Sequence, residues 1–316
     1  MILRDVVKEY LKEQAGRLDR DNISVSEYKN KCAALNLLKK IRLQKNLLVE
    51  WDTAKLAAVV PGQVIKEVLL SSCMQERAVK TQKNYLVIFK QLFDYAVQSG
   101  HMVYNPLHKA KVEEVRRGED LLAERLTERD INLLKLNMDQ DFKLALEFAL
   151  QTGVRQGEQR AVQWSDIDFE KRMLRINKGI ARGIRVEGIS PTKTRGSVRN
   201  VPLTEGLCRL LKEEFLQQGR PDANCFVFCS RNNSFLQARV FHIKLSAAIK
   251  RAGIKEIRWH DLRHYFASKL FDSLGEEYFV VSSLLGHSSV DFTRKQYVHW
   301  MANEKRDDKI RAALGG

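Results

Sequence analysis

Four stretches of this chain hold basic or nucleophilic side chains that no core requires. TGVRQGEQ, at 152–159, places Arg155 just after the apolar run 142–150, with Glu158 three residues on. A guanidinium beside a core needs a partner or a ligand, because an unpaired buried charge is costly. PTKTRG, at 191–196, carries Lys193 and Arg195. RWHDLRHYFAS, at 258–268, carries His260, Arg263 and His264, spaced so that a helix brings all three to one face. LLGHSSVDFTRKQYVH, at 284–299, carries His287 and Tyr297. Two histidines at i and i+4 can hold zinc. HDLRH, however, lacks the glutamate of H-E-x-x-H, and an arginine between the ligands repels a cation. Anion binding is the better reading, and no metal is expected. A lone tyrosine reads as packing. The weight comes from the co-occurrence of arginines, histidines, a lysine and a tyrosine.

The totals agree with an anionic partner. The 316 residues suffice for two domains. A net charge of +15 favours a polyanion, nucleic acid first and an anionic membrane surface second. No apolar run approaches the roughly 20 residues that span a bilayer, and the mixed charges of MILRDVVKEYLKEQ do not make a signal peptide. Five cysteines, an odd number, suit a reducing cytosol. Cys225 and Cys229 in NCFVFCS read as core thiols on a buried strand, about 13 Å apart and beyond disulfide or shared-zinc reach.

The elements that must position these residues are mostly helices. Ser24 and Glu27 make a capping box ahead of YKNKCAALNLLKKI. PGQVIKEVLLSS starts with a proline near a helix N-terminus. KTQKNYLVIFKQLFDYAVQSG, at 80–100, puts Tyr85, Ile88, Phe89, Leu92, Phe93, Ala96 and Val97 on one face, and Gly100 stops it. Lys80, Lys83 and Lys90 lie off that face. Each alone reads as solvated surface; as a set they are candidates for DNA phosphate contacts. HKAKVEEVRRGEDLLAE, at 108–124, is charged and aperiodic, as a linker is. Thr127 and Asp130 start a helix, and FKLALEFALQ, at 142–151, is its partner. Strands are expected at 173–176, from ISPTK to Lys193, and at 197–203, with 193–196 as the hairpin tip between the last two. CFVFC is one more short strand, and helices follow. The fold class is mainly α with a small antiparallel sheet.

The four stretches together resemble the tyrosine recombinases, the integrases of phages and mobile elements and the Xer-type resolvases. The family signature of Arg, Lys, His-x-x-Arg, His or Trp, and Tyr is met by Arg155, Lys193, His260 with Arg263, His287 and Tyr297. Glu158 matches an acidic residue the family often places after its first arginine. The order agrees over residues 120–300. The interval from His287 to Tyr297 is one residue longer than the family commonly has. The resemblance implies a helical, SAM-like core-binding domain over residues 1–107, a linker over 108–120, and a catalytic domain with a C-terminal tail over 121–316. It leaves no room before these helices for the N-terminal arm-binding domain of many phage-type integrases, which points either to a simple two-domain recombinase or to a chain trimmed of that domain.

The implied activity is site-specific recombination of double-stranded DNA. Tyr297 forms a covalent 3′-phosphotyrosine, Arg155 and Arg263 hold the phosphate, and Lys193 protonates the leaving oxygen. His260 and His287 donate further hydrogen bonds, and neighbouring arginines or a histidine base, His260 first, activate Tyr297. Strand exchange passes through a Holliday junction in a homotetramer on two DNA sites, without metal, ATP or other cofactor and without a membrane. A cytoplasmic, nucleoid-associated location is implied. Arg195 and Arg160 are left with DNA-backbone or surface roles. The sparse apolar stripe of the tail, Trp300, Met301, Ile310 and Leu314, is expected to dock on a neighbouring protomer. Two alternatives stand: a type IB topoisomerase, and a non-catalytic DNA-binding relative.

Overall fold

The structure, a computed structural model, describes residues 2–20, 23–38, 68–69, 71–112, 126–182, 187–191, 197–274 and 278–286. The chain divides into two compact units, Met1–Gly118 and Glu119–Gly316.

The described part of the first unit is helical. It contains α1 (Leu3–Asp19), α2 (Val25–Leu38), the single turn α3 (Ser72–Gln75) and α4 (Val79–Gln98). The periodic face of α4 is the centre of the core: Phe89, Leu92, Phe93 and Ala96 have no exposed surface, and they pack with Leu3, Val6 and Tyr10 of α1 and Leu35 of α2. Gly100, at φ +71°, ends α4. The amides of Gly100 and His101 return to the carbonyls of Val97 and Ala96, which satisfies the last turn. Asn105 then ties the following segment to α4, donating to the Lys90 carbonyl and to Asp94 while accepting from the Leu107 amide. Ser24 Oγ accepts the Glu27 amide at the start of α2. Most of the predicted helix from Pro61 and the linker residues from 113 onward fall outside the described residues; Val68 and Leu69, near its end, are helical.

The second unit starts with α5 (Glu128–Asn137), capped by Thr127 and Asp130 in reciprocal hydrogen bonds. A 3-10 turn (Gln140–Phe142) leads into α6 (Lys143–Thr152), and α7 (Gln156–Ala161) follows after a tight turn. Strands β1 (Ile167–Asp168), β2 (Met173–Ile176), β3 (Lys178–Arg182), β4 (Glu187–Pro191) and β5 (Arg199–Pro202) precede α8 (Glu205–Gln217), α9 (Ala238–Ala252), α10 (Trp259–Leu274) and α11 (Tyr278–Leu285). Phe142, Phe241 and Trp259 meet edge to face with ring centroids 4.9 to 5.7 Å apart, joining the entry to α6 with α9 and α10. Replacing a fully buried aromatic such as Phe241 or Phe148 with alanine costs about 3–5 kcal/mol.

Two expectations about strands are corrected. β4 does not form a hairpin with β5. It pairs antiparallel with β3 as a separate ribbon, while β5 adds to β2 in the antiparallel order β1-β2-β5. The segment with Lys193 therefore connects two sheets. The reason is β3, which the sequence pattern does not mark and which claims β4 through a register running from Lys178 opposite Pro191 to Arg182 opposite Glu187. NCFVFCS is not a strand either. Only single bridges occur, Gln163 with Phe226 and Cys229 with Phe235. Its apolar side chains are satisfied by packing rather than by a ladder, with Val227 and Phe228 buried. All five cysteines are free, and Cys225 and Cys229 are only half-buried.

Candidate functional site: an arginine cluster at the end of α11

The turn between α6 and α7 places Arg155. Gly153 takes φ +59° and closes α6, with its amide on the Ala149 carbonyl. A Cβ at Gly153 would lie 2.1 Å from Phe266 Cδ1, so no larger residue fits beneath α10. Arg155 then stands in extended geometry ahead of α7. Its amide donates to Glu158 Oε2 at 2.9 Å and its Nη1 to Glu158 Oε1 at 2.8 Å. The buried carboxylate thus caps α7 and orients the guanidinium in one arrangement. Gly157 permits α7 to lie on β3, since a Cβ there would meet the Ile180 carbonyl at 2.9 Å.

Glu158 has a second partner. Arg199, at the start of β5, donates Nη2 to Glu158 Oε2 at 2.7 Å and Nη1 to Oε1 at 3.2 Å. Burial by itself would raise the Glu158 pKa. The hydrogen bond and charge of Arg199, then the amide and charge of Arg155, more than reverse this and hold it at about 2. Nothing in the spacing of SVRNVPL marked Arg199, because its partner lies 41 residues away.

Arg263 lies on α10 and is 3% exposed. It donates Nη1 to the Gly153 carbonyl at 2.7 Å and Nη2 to the Leu285 carbonyl at 2.6 Å. Arg155 Nη2 reaches the next carbonyl, Gly286, at 3.1 Å. The two predicted arginines therefore meet at the C-terminus of α11, but unequally: the Arg155 side chain is 39% exposed. A helix C-terminus carries partial negative charge and unpaired carbonyls, which cations complement. A locking bond sets the register of these helices: Trp259 Nε1 donates to Gln159 Oε1 at 2.9 Å, and Gln159 Nε2 to the Ala145 carbonyl at 2.7 Å.

His260 lies in the first turn of α10, with its ring perpendicular to that of His264 and centroids 4.9 Å apart. Lost hydration, then the nearby charges of His264, Arg263 and Arg155, push its pKa down to about 4. His260 is exposed as a residue, so water screens part of that shift. The imidazole is neutral at pH 7 with or without that screening. Burial likewise lowers the pKa of His264.

Lys193, Arg195, His287 and Tyr297 fall outside the described residues. Lys80 is exposed on α4, whereas Lys83 and Lys90 are half-buried, and Lys90 donates to the His108 carbonyl at 2.9 Å. The surface role for Arg160 is wrong. It is 3% exposed, pairs with Glu187, donates to the Leu236 carbonyl at 2.6 Å and lies over the Phe235 ring. Its position on the inner side of α7 buries it, and Glu187 of β4 neutralises it. A cavity of about 710 Å³ opens elsewhere in this unit, among Leu136, Leu144, Glu147 and Leu210, and none of the arginines above lines it. Among the described residues, no group of three or more His, Cys, Asp and Glu is arranged to hold a metal ion, and no helix is long and apolar enough to cross a membrane.

Residues 124–304 match the model of the phage integrase family. This chain belongs to the phage integrase family. Among curated relatives of this family member, a "tyrosine recombinase XerC-like" protein of Caldanaerobacter subterraneus subsp. tengcongensis is 30% identical over 72% of the chain and 64% of its own length. The "ICEBs1 integrase" of Bacillus subtilis is 27% identical over 73% of the chain and 65% of its own length. The chain thus spans just under two thirds of the length of these relatives. In fold, this integrase-family chain is similar to the Tn1549 transposon integrase in complex with transposon right end DNA, with a TM-score of 0.76 and 19% identity over the whole of both chains.

Proposed function

We propose that this chain is a site-specific DNA recombinase that cleaves and rejoins double-stranded DNA through a covalent 3′-phosphotyrosine. The observation that carries the reading is the convergence of Arg155, oriented by Glu158, and Arg263 on the end of α11, directly ahead of His287, in a chain of this family. The net charge of +15 suits the substrate.

Cleavage adds negative charge to the nonbridging oxygens of the phosphate, and donors held in fixed positions stabilise it. Arg155 offers the guanidinium a phosphate can reach from solvent. Arg263 supplies a second positive charge at the same helix end from a buried position. Tyr297 Oη attacks phosphorus, and the bond to the 5′ oxygen breaks. His260, neutral at pH 7, accepts the tyrosine proton, and Lys193 gives a proton to the leaving oxygen. An ordinary tyrosine at pH 7 costs about 4 kcal/mol to ionise, which the base and the arginines offset. His287 donates a further hydrogen bond to the phosphate. The phosphotyrosyl bond conserves the energy of the broken linkage, so a second DNA end can reverse the step. The working assembly is a homotetramer on two DNA sites, with Lys80, Lys83, Lys90 and Arg195 on the DNA backbone.

The test uses nicked suicide duplexes tiled across the DNA that flanks the coding sequence. Wild type should trap a covalent protein–DNA adduct, Tyr297→Phe should trap none, and Arg155→Ala should lose trapping while keeping most DNA affinity. Loss of affinity with trapping intact in Arg155→Ala refutes its assignment. Trapping accompanied by plasmid relaxation but no recombinants would identify a type IB topoisomerase instead.

A further inference from the structure

Three guanidinium groups from three elements end on three successive carbonyls. Arg199 donates Nε–H to Leu284 at 2.7 Å, Arg263 donates to Leu285 at 2.6 Å, and Arg155 donates to Gly286 at 3.1 Å. Two of these arginines belong to the signature read from the sequence. Arg199 does not, yet like Arg155 it joins both halves of the site, and it does so from a buried position: its fork is bidentate on Glu158 while its Nε holds α11. It is 7% exposed, which keeps it from meeting a DNA phosphate. Gly286 lies against it. A Cβ there would come within 2.9 Å of Arg199 Nη1 and 3.2 Å of its Cδ, at a φ of +64°.

Resting on the recombinase reading above, we propose that Arg199 is a positioning residue for phosphoryl transfer. It ties Glu158, and through it Arg155, to the last turn of α11, and so fixes the backbone at Gly286, one residue before His287. The role needs a planar fork with donors pointing two ways. Lysine, a compact charge on a flexible stem, can neutralise Glu158 but cannot span Glu158 and Leu284 together. A charge that served stability alone would tolerate that exchange.

The full chain carrying Arg199→Lys separates the two roles. Three quantities are compared with wild type: DNA affinity, the single-turnover rate of adduct trapping per folded molecule, and hydrogen exchange of peptides covering α11. Affinity should hold. Trapping should slow about 100-fold, the scale of a small misplacement of catalytic groups. Amides at the end of α11 should exchange faster, while those of α4 do not change. Unchanged trapping, or unchanged exchange in α11, overturns the proposal. Should Arg199→Lys fail to fold, Gly286→Ala approaches the same contact from the other side: slowed trapping with the fold intact supports the role, and wild-type trapping overturns it. A wild type that traps no adduct refutes the recombinase reading alone, and the exchange arm still decides whether Arg199 holds α11.

Discussion

Glu158→Gln gives the sharpest test of the cluster's electrostatics. The carboxylate is 5% exposed and bonded by two guanidinium groups. At about 1.4 kcal/mol per pH unit, moving it from an ordinary 4.5 to about 2 amounts to about 3 kcal/mol in favour of the folded state. The amide also leaves Arg199 buried without its counter-charge, a destabilisation on the order of 3–5 kcal/mol in comparable pairs. A total of about 3 kcal/mol or more at pH 7 is therefore expected. Because the folded pKa is depressed, the carboxylate's contribution is full above pH 4.5 and fades as the pH falls toward 2. The gap between wild type and variant should narrow by about half near pH 3. Urea unfolding of the full chain, followed by tryptophan fluorescence, measures this, since Trp164 and Trp259 are buried in the second unit. A gap under about 1 kcal/mol at pH 7, or one that stays constant down to pH 3, would refute the reasoning.

Three further outcomes follow from the same geometry. Gly153→Ala should destabilise the second unit by about 2 kcal/mol or more, from a strained φ and the Phe266 contact; thermal unfolding within a degree of wild type contradicts it. The acid limb of the cleavage rate should lie well below pH 6.5, toward 4, because His260 resists protonation; a midpoint at 6.5 or above removes His260 as the base. Its lowered pKa also means that stability linked to this histidine is present above 6.5 and is lost as the pH falls toward 4. Changing Lys80, Lys83 and Lys90 together to glutamine should reduce the slope of log affinity against log salt by about 0.9 for each phosphate no longer neutralised. An unchanged slope places DNA elsewhere on the chain.

What the sequence determined by itself was local. The face of α4, the Thr127–Asp130 cap and the Glu158 partner of Arg155 all rest on helical neighbours three or four residues apart, where spacing translates directly into contact. The signature residues were legible for a different reason: their types and order form a recognisable set, even though Arg155 and Arg263 are far apart along the chain. Tertiary structure decided what depends on pairing across distance. Strand partners were one case, because alternation shows that a segment is a strand but not which neighbour it takes; the unmarked β3 captured β4 and left β5 to β2. Charge was the other. Arg155, Arg160 and Arg199 are the same side chain in sequence, yet Glu187 and the inner side of α7 bury Arg160, Glu158 and Leu284 bury Arg199, and Arg155 keeps an exposed guanidinium. Burial is a property of the packed surroundings, so the role of each arginine could be assigned only once the chain had folded around it.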